Sequence, residues 1–341
     1  MNIKRISWRR LRIKNVKRAF VGWGEPRRLR NEPQHFAVRL ICWGSFLTAN
    51  LHDSPMKNVT VAQCLQRASE LESISDSARL DIELLLCHIL QKNRTYLFTW
   101  PDKTLSPELT EQFEQFFNRR KSGEPIAHIL GQREFWSLPL AVNNSTLIPR
   151  PDTELLVELV LQLFGEDTPQ QARSCLDLGT GTGAIVLALA SEKPHWQLLG
   201  VDQSADAVAL AEHNRQQLGF KQVTIAQSDW FSHIKAQQFD VIVSNPPYID
   251  PQDPHLEQGD VRFEPRSALI ADNHGLADIE LIIGASKHYL SADGWLLLEH
   301  GYDQGEQVRR LLVHSDFKQV ETRRDLGGNE RVSLGRKTES T

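Results

Sequence analysis

Asn245-Pro246-Pro247-Tyr248 is the tetrapeptide with the most chemical content in the chain. Consecutive prolines hold φ near −65° and remove two backbone donors, so the segment displays its carbonyls rigidly. Asn245 adds a side-chain oxygen, and Tyr248 adds a flat ring with a hydroxyl. Such a corner can accept both hydrogens of a planar NH2 group while stacking against its plane. Amide and aryl-amine nitrogens are weak nucleophiles because their lone pair is delocalised. A site that holds both hydrogens aims the nitrogen at an electrophilic carbon and stabilises the charge that develops. The expected chemistry is methyl transfer by positioning and electrostatics, without a classical base.

A second segment, Gly179-Thr180-Gly181-Thr182-Gly183, follows the apolar run Cys175–Leu178. Alternating glycines let the backbone turn sharply and approach a ligand, and the helix that follows aims its first amides into the turn. With Ala184 the segment also satisfies a loose dinucleotide fingerprint, which is weak by itself. Two features weigh against a pyrophosphate. Asp177 sets a carboxylate two residues before the first glycine, where it suits a cation, and nothing basic sits in the loop. S-adenosyl-L-methionine, with its amine and positive sulfur, fits this charge pattern better. Asp202, 23 residues after Gly179, is expected to accept from both ribose hydroxyls; a dinucleotide would ask the same of it. Ser228-Asp229-Trp230-Phe231 offers an acid for an adenine amino group and an aromatic for its ring, with Trp230 equally suited to a core.

These loops need strands before them. Apolar runs at Cys175–Leu178, Leu198–Val201, Val223–Ala226, Val241–Val243, Trp295–Leu298, Val320–Thr322 and Val332–Leu334 alternate with helical patterns such as Ile185–Ala190 and Ala205–Leu218. That rhythm predicts a doubly wound α/β sheet of about seven parallel strands, with chemistry in the loops past their carboxyl ends. Upstream, Ala62, Leu65, Ala68 and Leu71, the run from Ala78 to Leu90, and Phe113, Phe116 and Phe117 predict a small helical domain over 57–130, with Gly123 as a stop. Residues 131–150 read as a hairpin linker turning around Leu138-Pro139, and 151–335 as the catalytic domain. Asp152 or Thr153 is expected to cap a helix that begins at Glu154. Arg150, between two prolines, suits either a guard at the pocket mouth or a structural ion pair. Asp250–Asp260 reads as a lid, a docking surface or a solvated loop, and Asp272, Asn273 and Gly275 as a turn before a helix.

Composition excludes several classes. At 40% hydrophobic and 24% charged residues the chain is neither disordered nor fibrous. Cys42, Cys64, Cys87 and Cys175 form no CxxC pair, which argues against a disulfide framework or structural zinc and for a reducing compartment. Twelve His without an HxxxH or HExxH arrangement argue against a metal site. Cys175, in the first strand, is expected to be buried and inert. Residues 1–55 hold twelve Lys and Arg against three acids, +9, which leaves −13 on residues 56–341. Translated upstream sequence, with Met56 as initiator, is the first reading of this basic extension; a transit peptide or an RNA-touching arm are the others. Its most apolar stretch, Phe36–Leu51, is 16 residues with Arg39 inside, short of a membrane span.

The motifs carry a resemblance. Asp177-x-Gly179-x-Gly181-x-Gly183, Asp202 and Asn245–Tyr248 resemble the class I methyltransferases that modify planar nitrogens. Glu124–Gly131, Phe135-Trp136, Ile148–Glu154 and Asp325–Arg331 narrow the resemblance to the PrmC/HemK peptide chain release factor glutamine methyltransferases, over residues 57–335. It implies a Rossmann-like seven-stranded domain behind a helical, substrate-docking one. It also implies transfer from S-adenosyl-L-methionine to the side-chain N5 of the glutamine in the Gly-Gly-Gln motif of class 1 release factors. By matching position, Gly179, Thr180, Gly181, Thr182 and Gly183 would hold the methionine part, Asp202 the ribose and Trp230 the adenine region. Asn245 would touch cofactor and glutamine, with Pro246, Pro247 and Tyr248 completing the glutamine pocket.

Two other classes compete. Methylation of an exocyclic base amine poses the same chemical problem, but −13 over residues 56–341 offers no basic stripe for nucleic acid. A binding module with a retired pocket is disfavoured by the intact Gly179, Gly181, Gly183, Asp202 and Asn245. A cytoplasmic monomer is expected, with release factors as partners and no stable nucleic-acid or membrane association.

Overall fold

The structure is a computed structural model that describes residues 59–165 and 171–338. The basic extension 1–55, with the readings made of it, lies outside the described residues.

The first elements are helical: α1 (Val61–Gln66), a 3-10 turn (Arg67–Leu71), α2 (Ala78–Leu90), α3 (Arg94–Thr99), α4 (Pro107–Lys121) and α5 (Ile126–Leu130). A capping box starts α1: the Thr60 hydroxyl accepts from Gln63 N, and the Gln63 side chain accepts from Thr60 N. The three-residue spacing of Ala62, Leu65, Ala68 and Leu71 reflects the tightening to a 3-10 turn, whose period is three. Phe113 and Phe117 of α4 are buried against Ile82 and Leu86 of α2, and Phe116 lies at the margin. Beneath them Arg120, only 5% exposed, donates to Asp81 Oδ2 at 2.7 Å and to the Glu124 carbonyl.

A two-stranded hairpin follows, β1 (Gln132–Phe135) and β2 (Leu138–Ala141). Its turn is not at Leu138-Pro139, as the sequence suggested. Those residues pair with Phe135 and Glu134, and the turn is Trp136-Ser137, both at positive φ (52° and 62°). A proline is tolerated at the edge of a two-stranded ribbon, where its missing N–H costs no ladder bond. Contacts hold the unusual turn: Glu154 accepts from Trp136 N, and Glu192 accepts from the Trp136 indole. Neither Asp152 nor Thr153 caps α6 (Glu154–Phe164). A 3-10 turn over Pro151–Thr153 runs straight into that helix, so Thr153 has helical dihedrals and its hydroxyl is free for another task.

The remainder is the expected alternation: β3 (Ser174–Leu178), α7 (Ala184–Glu192), β4 (Gln197–Asp202), α8 (Ala205–Leu218), β5 (Val223–Gln227), β6 (Phe239–Ser244), a helix over Ala277–Tyr289, β7 (Leu290–Glu299), a helix over Gly305–His314, β8 (Lys318–Arg324) and β9 (Glu330–Arg336). Ser204 caps α8 and Gly219 ends it. The sheet has the order β5-β4-β3-β6-β7-β9-β8. Alternate residues along each strand feed two cores, Cys175 and Val241 on one face, Leu176 and Ile242 on the other, so both faces are covered. The expectation of parallel strands throughout needs one correction. β9 runs antiparallel between β7 and β8, because a short turn after β8 returns the chain directly instead of through a crossover helix. The chain winds outward from β3 through β4 to β5, then comes back to place β6 on the other side of β3, with Leu178 beside Ser244. The loops after β3 and β6 therefore meet at the reversal of strand order.

Candidate active site

A cleft of about 920 Å³, its open mouth included, lies at that reversal. Of the residues singled out from sequence, Gly179, Thr180, Gly181, Thr182, Asp202, Trp230, Asn245 and Pro247 line it. Gly183, Pro246 and Tyr248 stand beside it without forming its wall. Pro246 is buried, and Gly183 caps α7 at φ 82°, where a Cβ would press on Leu187 at 2.9 Å. Gly181 also has positive φ (54°), and its N–H donates to Asp202 Oδ2 at 3.0 Å. The other Asp202 oxygen accepts from Ser204 N at 2.9 Å. Burial raises the Asp202 pKa against these amides and that of Gln203, and the carboxylate keeps acceptor capacity for one further donor.

Asp177 is placed differently from the expectation. It is fully buried and absent from the cleft wall. Its Oδ2 accepts from the Thr180 hydroxyl at 2.7 Å and from Val186 N, which ties the glycine loop to α7; Oδ1 has no partner. Burial pushes its pKa up to about 7. Cys175 is likewise buried, and desolvation raises its thiol well above the usual range, so it is inert. The Trp230 ring packs on the core, lines the cleft and covers Gly179, where a Cβ would meet it at 3.5 Å. Asp278 accepts a hydrogen bond from its side chain.

At the end of β6, Asn245 Nδ2 donates to Thr153 Oγ1 at 3.2 Å, while Oδ1 carries no hydrogen bond among the described residues. Tyr248 turns away from the cleft. Its hydroxyl donates to Glu299 Oε1 at 3.4 Å, and its carbonyl accepts from Gln304 Nε2 at 3.0 Å. Burial, and then Glu299, raise the Tyr248 pKa. Glu299 ends β7 in full burial, which pushes its own pKa up to about 7, and its Oε2 is unpartnered.

Arg150 makes the structural ion pair offered as one of its two readings. It lines the mouth, and its Nη2 meets both oxygens of Glu264 at 2.8 Å. The segment after the tetrapeptide is folded: Ile249 bridges Ile270, and 3-10 turns span Pro254–Glu257 and Gly259–Phe263. Asp260 on it pairs with Arg120 at 3.2 Å, fastening the segment to α4. Ser267 and Ala268, from this segment, line the cleft, and no signal in the sequence marked them. Thr153 was missed as a site residue, although it lies in the quoted Ile148–Glu154 segment.

Residues 63–131 match the PrmC N-terminal domain and residues 152–260 match the methyltransferase small domain. With the seven-stranded sheet and the cleft at its strand reversal, this defines a methyltransferase with a Rossmann-like fold. The release factor glutamine methyltransferase of Shewanella oneidensis is 53% identical over 277 residues, 81% of this chain and 96% of that protein. The enzyme of that name from Escherichia coli is 54% identical over 268 residues, 79% of this chain and 95% of that one. A crystal structure of a release factor-specific protein-(glutamine-N5) methyltransferase from Alicyclobacillus acidocaldarius is 25% identical, with a TM-score of 0.35, over 56% of this chain and 95% of that one. The chain belongs to the family of release factor glutamine methyltransferases.

Proposed function

We propose that this chain methylates the side-chain N5 of the glutamine in the Gly-Gly-Gln motif of class 1 peptide chain release factors, with S-adenosyl-L-methionine as donor. The observation that carries the reading is Asn245, anchored through its NH2 to Thr153 with an unbonded acceptor oxygen beside the glycine loop.

The residues present fit that donor. Gly179 and Gly181 leave a backbone cradle without Cβ atoms, and Asp202, on the cleft wall, keeps acceptor capacity for a ribose hydroxyl. Arg150, the basic residue on the wall among the described residues, is held by Glu264, so the wall offers no free cation to a pyrophosphate. The bound donor would supply an electrophilic methyl on a sulfonium. Asn245 Oδ1 accepts one hydrogen of the substrate NH2, and the tetrapeptide's rigid carbonyls accept the other. As the amide nitrogen takes the methyl from sulfur, which would leave as a neutral thioether, it becomes tetrahedral and positive; these dipoles stabilise it without moving, and its surplus proton is then lost to solvent. The helical segment, tied through Arg120 and Asp260 to the segment at the cleft mouth, serves as the docking surface for the release factor.

The test is transfer of labelled methyl by the purified chain to a release factor, to the same factor with Gly-Gly-Ala, and to DNA and RNA. Label on the Gly-Gly-Gln protein alone is the expected result. Label on nucleic acid, or equal label on both proteins, refutes the reading.

A further inference from the structure

Glu299 is a fully buried acid with no part in the chemistry above. It lies one residue past the Leu298–Ser244 pair, as Asn245 does on the neighbouring strand. The Tyr248 hydroxyl donates to its Oε1 at 3.4 Å, and the Thr153 hydroxyl is within hydrogen-bonding reach. Arg331 faces it too, but is engaged by Asp325 at 3.2 Å and by the His300 carbonyl; Asp152 adds a like charge. Above about pH 7, where Glu299 is ionised, it can only accept. The Thr153 hydroxyl has one proton, and its oxygen already receives Asn245 Nδ2–H at 3.2 Å. With that proton given to Glu299, Thr153 has only lone pairs for Asn245.

The two ends of an asparagine amide are nearly the same shape, so packing cannot choose between them; hydrogen-bond polarity must. We propose that Glu299 is a positioning residue that fixes, through Thr153, which end of the Asn245 amide faces the cleft. It keeps the NH2 on Thr153 and the acceptor oxygen toward substrate. With the polarity reversed, Thr153 would donate to Asn245 Oδ1, and an NH2 would confront the substrate's own NH2, donor against donor. The inference rests on the reading of Asn245 as acceptor for the glutamine amide.

The experiment is steady-state kinetics on a release factor with the full chain carrying Thr153→Val, Thr153→Ser, Glu299→Met or Thr153→Val with Glu299→Met, alongside calorimetry of S-adenosyl-L-methionine binding. Valine keeps the shape of threonine and breaks the relay; serine keeps the relay. Thr153→Val and Glu299→Met are each expected to lower kcat by about 100-fold, the loss typical of a misaligned reactant. Cofactor Kd and release-factor KM should stay within about threefold, Thr153→Ser should keep wild-type kcat within a similar factor, and the double variant should be no worse than either single one. Wild-type kcat in Thr153→Val overturns the proposal, as do losses that multiply in the double variant or a Kd that weakens in step with kcat. Should Glu299→Met not fold, the valine and serine pair decides alone. A wild-type chain that transfers nothing to the release factor refutes the functional reading and this inference with it, whereas failure confined to the variants refutes only the inference.

Discussion

Gly275→Ala tests how the tetrapeptide is held. Gly275 lies 27 residues after Tyr248, in a turn where Asn273 and His274 also have positive φ. Its φ is 80°, and a Cβ there would stand 2.1 Å from the Tyr248 carbonyl oxygen and 2.7 Å from Gln304 Nε2. The left-handed backbone costs about 1–2 kcal/mol for a residue with a Cβ. To restore an ordinary C···O contact the carbonyl must retreat by about 1 Å. That breaks the bond from Gln304, worth about 0.5–1.5 kcal/mol. Stability should fall by roughly 2–4 kcal/mol in urea unfolding. Because the displaced carbonyl belongs to the last residue of the tetrapeptide, kcat for the release factor should fall by about 100-fold. Gly219→Ala is the control: its φ is 75°, but no atom lies within 4 Å of the added Cβ, so it bears the strain without the collision. Equal stability losses in the two variants, with kcat for Gly275→Ala unchanged, would refute the argument that this turn braces the active-site corner.

Asn245→Ala should lower methyl transfer by about 10²–10³-fold, the usual loss for one preorganised polar partner, while calorimetric affinity for S-adenosyl-L-methionine stays close to wild type. Asp202→Ala should weaken that affinity by about 1.5–3 kcal/mol; equal affinity removes Asp202 from the site. Asp177→Asn addresses pH. An acid held near pKa 7 by burial binds its proton more tightly when folded than when unfolded, so its contribution to stability is full below about pH 4, declines as pH rises toward 7, and is flat above. The decline amounts to something on the order of 4 kcal/mol. The ligand-free asparagine variant should therefore show a flatter dependence of Tm on pH between 4 and 8, with the Glu299 contribution remaining; an unchanged slope contradicts the assignment.

Much of the molecule was legible in the chain because it depends on neighbours in sequence. The glycine spacing, the proline dihedrals and the strand before each loop are local, and so are the limits of α8, set by Ser204 and Gly219. Seven strands followed from apolar runs for the same reason. The hairpin turn did not, since Trp136 and Ser137 accept positive φ only because Glu154 and Glu192 grip the tryptophan from elsewhere. Nor did the reversed direction of β9. By itself the sequence determined which loops carry chemistry and what kind of nitrogen they suit, because backbone freedom and side-chain type are properties of a few adjacent residues. Only the tertiary structure decided that Asp177 braces a loop from behind the cleft wall, and that Tyr248 turns inward to Glu299. The same holds for Thr153, which reaches Asn245 from 92 positions away. Strand order and burial choose those partners, and neither is written in any short stretch of chain.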